Sequence, residues 1–219
     1  VHTAFEEGHS IWYFRAFDYV GVDRETGAAQ FRNHEGKIVA SSELTDEDMT
    51  DIGSAIPKFT YGITLNLEYK GFDFTAFGTG VAGNKIFNIL YRADSPLRNS
   101  LKYYMDNAWT PENKGASMPA VNNVATDLNF WSSSAAMFNG SYFKIKQLQL
   151  GYTLPKRLTQ KVAIKDLRFF VSLDDFFTFS NYPGMDPETA TTGNNGGAGF
   201  DIGSYPTMKK CSFGASFSF

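Results

Sequence analysis

The side chains able to do chemistry in this sequence are scattered rather than grouped. Acidic residues gather twice, at Glu43, Asp46, Glu47, Asp48 and Asp51, and again at Asp186, Glu188 and Asp201 near the run Gly193-Asn194-Asn195-Gly196-Gly197. Such carboxylates could hold Ca²⁺, but neither group has the ligand spacing of a calcium loop, and solvated loop is the plainer expectation. Asp174 and Asp175 adjoin in a strand-like run and should point to opposite faces, which disfavours a shared proton for acid–base work. His2, His9 and His34 are dispersed, and the single cysteine, Cys211, has no histidine at a suggestive spacing and excludes an internal disulfide. Gly78, Gly80 and Gly83 sit in a strand-like run instead of between a strand and a helix, so a phosphate cradle is not expected. The sequence therefore predicts no catalytic residue, no metal and no cofactor, and a protein that is not an enzyme.

The aromatic residues carry more information. Tyr103, Tyr104, Trp109, Phe130 and Trp131 fall in one long polar stretch, where they could stack on a cargo molecule or anchor a covering partner, or pack within the stretch itself. Overall the chain is 16% aromatic, with Phe 21, Tyr 11 and Trp 3. Its mean hydropathy is nevertheless below zero, so the apolar residues are spread among polar ones, as in alternating strands. A net charge of −3, with the basic residues scattered, argues against a nucleic-acid surface. No run approaches the roughly 20 consecutive apolar residues of a membrane helix. The N-terminal residues lack a signal-peptide pattern, so the chain is expected to begin inside a longer protein.

The elements that must position these residues read as strands. Phe59, Tyr61, Ile63, Leu65, Leu67 and Tyr69 alternate with Thr60, Gly62, Thr64, Asn66, Glu68 and Lys70, and Gly71 turns the chain into Phe72 to Thr79. Ser141 to Leu154 is a third strand, in which Lys144 and Lys146 share the parity of Leu148. A bulge near Gln147, or lysines snorkelling from a membrane rim, must be invoked. Leu167 to Asp174 alternates until Asp175 breaks the phase, which predicts a second bulge. Thr207 to Phe219 is the last strand, and Ile11 to Val22 is a further one with ambiguous faces because of Arg15 and Asp18. The total is about six strands.

Connections alternate between short (Lys70-Gly71; 155–166) and long (about 23–58, 85–140 and 181–206). The strand-like runs are longer than the roughly 5 to 6 residues usual in globular sheets and match the roughly 9 to 11 that cross a bilayer at a tilt. Together these features predict an all-β fold, an antiparallel transmembrane β-barrel with short inner turns and long external loops. By parity the last strand runs inward and leaves Phe219 at the periplasmic side of a bacterial outer membrane. Phe213, Ala215, Phe217 and Phe219 then match a final-strand signal for outer-membrane assembly, with an ordinary edge strand as the alternative.

Several segments resemble one family. Gly53 to Gly62, Gly71-Phe72-Asp73-Phe74 running on to Gly80-Val81-Ala82-Gly83-Asn84-Lys85-Ile86-Phe87-Asn88, and Tyr142 to Pro155 are similar to strands of the SusC/RagA-like TonB-dependent outer-membrane transporters. So are Tyr182-Pro183-Gly184-Met185-Asp186-Pro187-Glu188, Gly199 to Pro206 and the terminal Phe. The resemblance covers nearly the whole chain but only the C-terminal part of a family member. It implies a portion of a barrel of about 22 strands, whose plug and TonB-contacting box lie outside this chain. It further implies energy-dependent import of oligomeric glycans or peptides, with the rest of the barrel and plug, a SusD-like surface lipoprotein, the TonB complex and outer-membrane lipid as partners. From the residues alone a passive porin or adhesin barrel, or a soluble β-sandwich carbohydrate-binding module, stays open.

Overall fold

The structure, a computed structural model, describes residues 2–89, 102–124, 126–159, 164–192 and 197–219. The chain divides into two compact units, one formed by Val1–Pro57, Gly83–Gly140 and Tyr182–Tyr205, the other by Lys58–Ala82, Ser141–Asn181 and Pro206–Phe219.

Along the chain, β1 (His2–Ala4), β2 (Tyr13–Val22), β3 (Ala29–Arg32), β4 (Ile38–Ala40) and β5 (Met49–Ser54) lie in the first unit, and β6 (Phe59–Tyr69) and β7 (Phe72–Ala82) in the second. Next in the first unit come β8 (Lys85–Asn88), the short helices α1 (Lys102–Asn107), α2 (Val121–Val124) and α3 (Leu128–Trp131), and β9 (Met137–Asn139). The second unit resumes with β10 (Tyr142–Thr153), α4 (Lys156–Thr159) and β11 (Asp166–Ser180). Helix α5 (Pro187–Thr192) and β12 (Phe200–Asp201) return to the first, and β13 (Lys210–Ser218) ends in the second.

Among the described residues of the second unit, five strands form one antiparallel sheet in the order β6-β7-β10-β11-β13. Residues opposite one another across an antiparallel pair share a face, so the register defines two surfaces. Leu65 opposes Ala76, which opposes Leu148, which opposes Leu173, which opposes Cys211. Followed along every strand, this face holds aliphatic, aromatic and small side chains and no charged one. Phe59, Ile63, Leu67, Phe169, Phe179 and Phe213 on it are exposed in this chain. The opposite face carries Asn66, Glu68, Asp73, Thr75, Gln147, Gln149, Arg168, Ser172 and Ser216.

The turn between β6 and β7 is two residues, Lys70 and Gly71, with φ of 48° and 85°. That left-handed pair suits the twist of a tight hairpin and is the reason glycine ends it. The Thr153 amide donates to the Gly71 carbonyl (2.7 Å), so both short connections lie at one end of the sheet.

The two expected bulges are one feature. The register of β10 slips between Ile145 and Gln147 against both neighbours, leaving Lys146 opposite no residue, and on β11 Asp175, at φ 57°, and Phe176 have no register partner in β10. Lys146 and Asp175 pair at 3.1 Å. One extra residue flips every side chain beyond it, which bears out the bulge over the snorkelling alternative as the reason for the parity of Lys144. It does not snorkel from the apolar face but lies opposite Thr79 and Thr178 on the polar face, is 1% exposed, and donates to the Thr207 hydroxyl at 2.6 Å.

The sixth expected strand differs from expectation. β2 forms but pairs with β1, β3 and β5 in the sheet of the first unit. Tyr13, Phe14, Ala16 and Phe17 are all buried, so both of its faces are covered and strict alternation is not required. The first unit is therefore a packed body and not a set of loose loops. One core gathers Phe17, Phe31, Tyr104, Met118, Phe130 and Trp131, another Phe14, Ala55, Phe87 and Ala136, and a third Ile86, Tyr182 and Ala190.

Candidate functional site

On the polar face of the second unit, Arg168 reaches across a whole strand. Its Nε and Nη2 donate to Asp73 Oδ2 and Oδ1 at 2.8 and 2.5 Å, a two-pronged carboxylate contact from β11 to β7 over Gly151 of β10. Any Cβ at Gly151 would run into Arg168 Nη2 and the Asp73 carboxylate, so the smallest residue is required there. This clamp was missed in the sequence. The available signal was that Asp73 and Arg168 share the polar parity at the ends of strands joined by the two short connections.

The first unit has its own polar centre. Asn88 Nδ2 donates to the Tyr182 hydroxyl (3.2 Å), which donates to Asp201 Oδ2 (2.5 Å), while Asp201 Oδ1 accepts the Gly203 amide (2.9 Å). Asn84 Nδ2 donates to Thr191 Oγ1 (2.9 Å), which in turn donates to the Pro187 carbonyl. Asn84, Asn88, Asp201 and Tyr182 are all at least nine-tenths buried. β12 pairs in parallel with β8, and β9 pairs antiparallel with it, so the network ties together stretches distant in sequence. Asn84, Asn88, Tyr182 and Asp201 lie in segments that carry the family resemblance, which is the signal that could have singled them out.

In the first acidic cluster Glu43, Asp46, Glu47 and Asp51 are exposed, as expected of solvated loop, whereas three other carboxylates depart from that expectation. Asp48 is 5% exposed, and its carboxylate accepts from the His34 and Thr45 amides, the His34 ring and the Thr45 hydroxyl. Asp186 and Asp201 are buried, and Asp186 accepts the Glu188 amide. Their oxygens serve the backbone, and among the described residues no group of three His, Cys, Asp or Glu is placed to hold a metal ion. Residues 193–196 of the glycine-rich run lie outside the described residues.

The five aromatic residues of the long stretch separate into two sets. Phe130, Trp131 and Tyr104 are 1%, 5% and 6% exposed, and Trp131 Nε1 donates to the Val124 carbonyl, so these three belong to the core of the first unit. Tyr103 and Trp109 are partly exposed. Trp109 Nε1 donates to the Arg24 carbonyl and its ring lies over Gly27, in the turn between β2 and β3. Loop packing thus accounts for most of this set. Phe213, Ala215 and Phe217 lie on the charge-free face opposite Val171, Phe169 and Leu167, and Phe213 and Phe219 are over 80% exposed.

No family model matches the sequence. Among curated proteins, the chain is 30% identical to TonB-dependent receptor P3 of Formosa agariphila over 97% of its own length, and 25% identical to TonB-dependent receptor P26 of the same organism over 88%. It spans 22% and 20% of those two proteins. The whole chain superposes on the RagAB peptide importer in its closed-closed and open-open states, with TM-scores of 0.74 and 0.76 and 22% identity, covering 25% and 24% of those chains. The five-stranded sheet is accordingly part of an antiparallel transmembrane β-barrel whose closure needs polypeptide beyond this chain. The protein is a segment of a SusC/RagA-like TonB-dependent transporter.

Proposed function

We propose that the complete protein imports oligomeric nutrients, glycans or peptides, across the bacterial outer membrane with energy delivered by the TonB complex. The observation that carries this reading is the continuous charge-free face of the five-stranded sheet, in a chain whose relatives bear the name TonB-dependent receptor. An open sheet in lipid leaves unpaired edges, so the working unit includes the rest of the barrel. The long connections, which the first unit collects, alternate along the chain with the short Lys70-Gly71 turn, and that alternation supports an external position for them, beneath a SusD-like surface lipoprotein. The neighbouring RagAB structures are of a peptide importer, and this favours peptide as one cargo class. In cells expressing the full-length protein, uptake of a labelled oligopeptide or oligosaccharide should fall to background when TonB is deleted. Uptake that continues unchanged without TonB would make the protein a passive pore.

A further inference from the structure

The first unit contains a cavity of about 140 Å³ lined by Tyr104, Met105, Met118, Val121, Val124 and Trp131, with Ala108, Pro119 and Phe130 completing the wall. We propose that this cavity is a binding site for a single apolar side chain, of leucine to phenylalanine size, presented by a peptide cargo. The inference rests on the import reading above and narrows it.

Four observations lead there. The lining has no carboxylate, ammonium or side-chain amide; apart from the Tyr104 hydroxyl its one polar side-chain group is the Trp131 ring N–H, which is already committed to the Val124 carbonyl. A sugar seated here would leave hydroxyls unpaired at the full desolvation cost, whereas a hydrocarbon group loses nothing. The volume is close to the roughly 150 Å³ of an apolar cavity that stays dry and takes up benzene. Met105 and Val121, on α1 and α2, are the exposed members of the lining, at 59% and 36%, so the cavity opens beside them. Two of the lining residues are methionines, whose unbranched side chains adjust to occupants of different outline.

The test uses the full-length transporter in detergent and two capped pentapeptides, Gly-Gly-Leu-Gly-Gly and Gly-Gly-Asn-Gly-Gly, titrated by calorimetry. The leucine peptide should bind at least about tenfold more tightly than the asparagine peptide, the ratio expected for burying one such side chain. Met105→Glu, an exposed substitution that leaves the cores intact, should abolish that preference, and Ala108→Phe, which fills the cavity from within, should do the same. Equal affinity for the two peptides, or a preference that survives both substitutions, would overturn the proposal. Uptake that continues unchanged without TonB, with the leucine preference intact, would count against the import reading and leave this site standing.

Discussion

Asp48 carries the most informative single carboxylate in the first unit. The His34 and Thr45 amides, with the His34 ring and the Thr45 hydroxyl, hold its carboxyl well below the usual carboxylate range. The hydrogen bond to Asp48 in turn raises His34 above its ordinary value. A depressed Asp48 contributes stability that is present above the unfolded carboxylate value near about 4 and lost as pH falls towards its lowered folded value. A raised His34 contributes stability present below its unfolded value near about 6.5 and lost as pH rises through the raised one. The contact is therefore complete between about pH 4 and pH 6.5. Amide-exchange protection of the β3–β4 hairpin, corrected for intrinsic rates, should peak in that window. His34→Ala should remove the alkaline fall and Asp48→Asn both falls, while a flat profile in the unsubstituted protein would refute the coupling. Neither partner was legible as a pair in the sequence, because Asp48 stood among four other acidic residues with nothing to distinguish it.

At the scale of the element, the register decides what each position tolerates. Phe213 and Ser212 are neighbours on β13, yet one lies on the charge-free face and the other on the polar face. Phe213→Arg should cost about 2–4 kcal/mol of folding stability in lipid if the position is near the bilayer midplane, and Ser212→Arg far less. Denaturant titrations of the full-length protein in vesicles read the difference, and equal costs would show that the face does not meet lipid. Strands β6, β7, β10 and β13 were legible because one apolar face forces strict alternation. The slip at Lys146 was legible as a parity break, but where Lys144 would point was not, since a bulge redirects everything beyond it. β2 was legible as a strand, but the sheet it joins was not, because a strand buried on both faces has no alternation to read. The Asn88–Tyr182–Asp201 network escaped because Asn88 and Tyr182 are 94 positions apart and no local pattern connects them.

The whole molecule is built from one chain that leaves and re-enters its sheet. Each long excursion adds to the first unit, where buried polar groups and three cores join stretches that sequence keeps apart. The short connections stay together at one end of the strands, with the Thr153 amide held on the Gly71 carbonyl. That arrangement makes sense if the sheet is the membrane-embedded part and its apolar face is solvated by lipid. The most direct test is site-by-site accessibility along β6 in outer membranes, using single cysteines introduced by Leu65→Cys, Asn66→Cys, Leu67→Cys and Glu68→Cys into a cysteine-free full-length protein. Fluorophores at Leu65 and Leu67 should be quenched by a lipid-phase spin label and shielded from an aqueous quencher, with the opposite result at Asn66 and Glu68. The absence of this alternation, with all four sites quenched alike from water, would contradict the account.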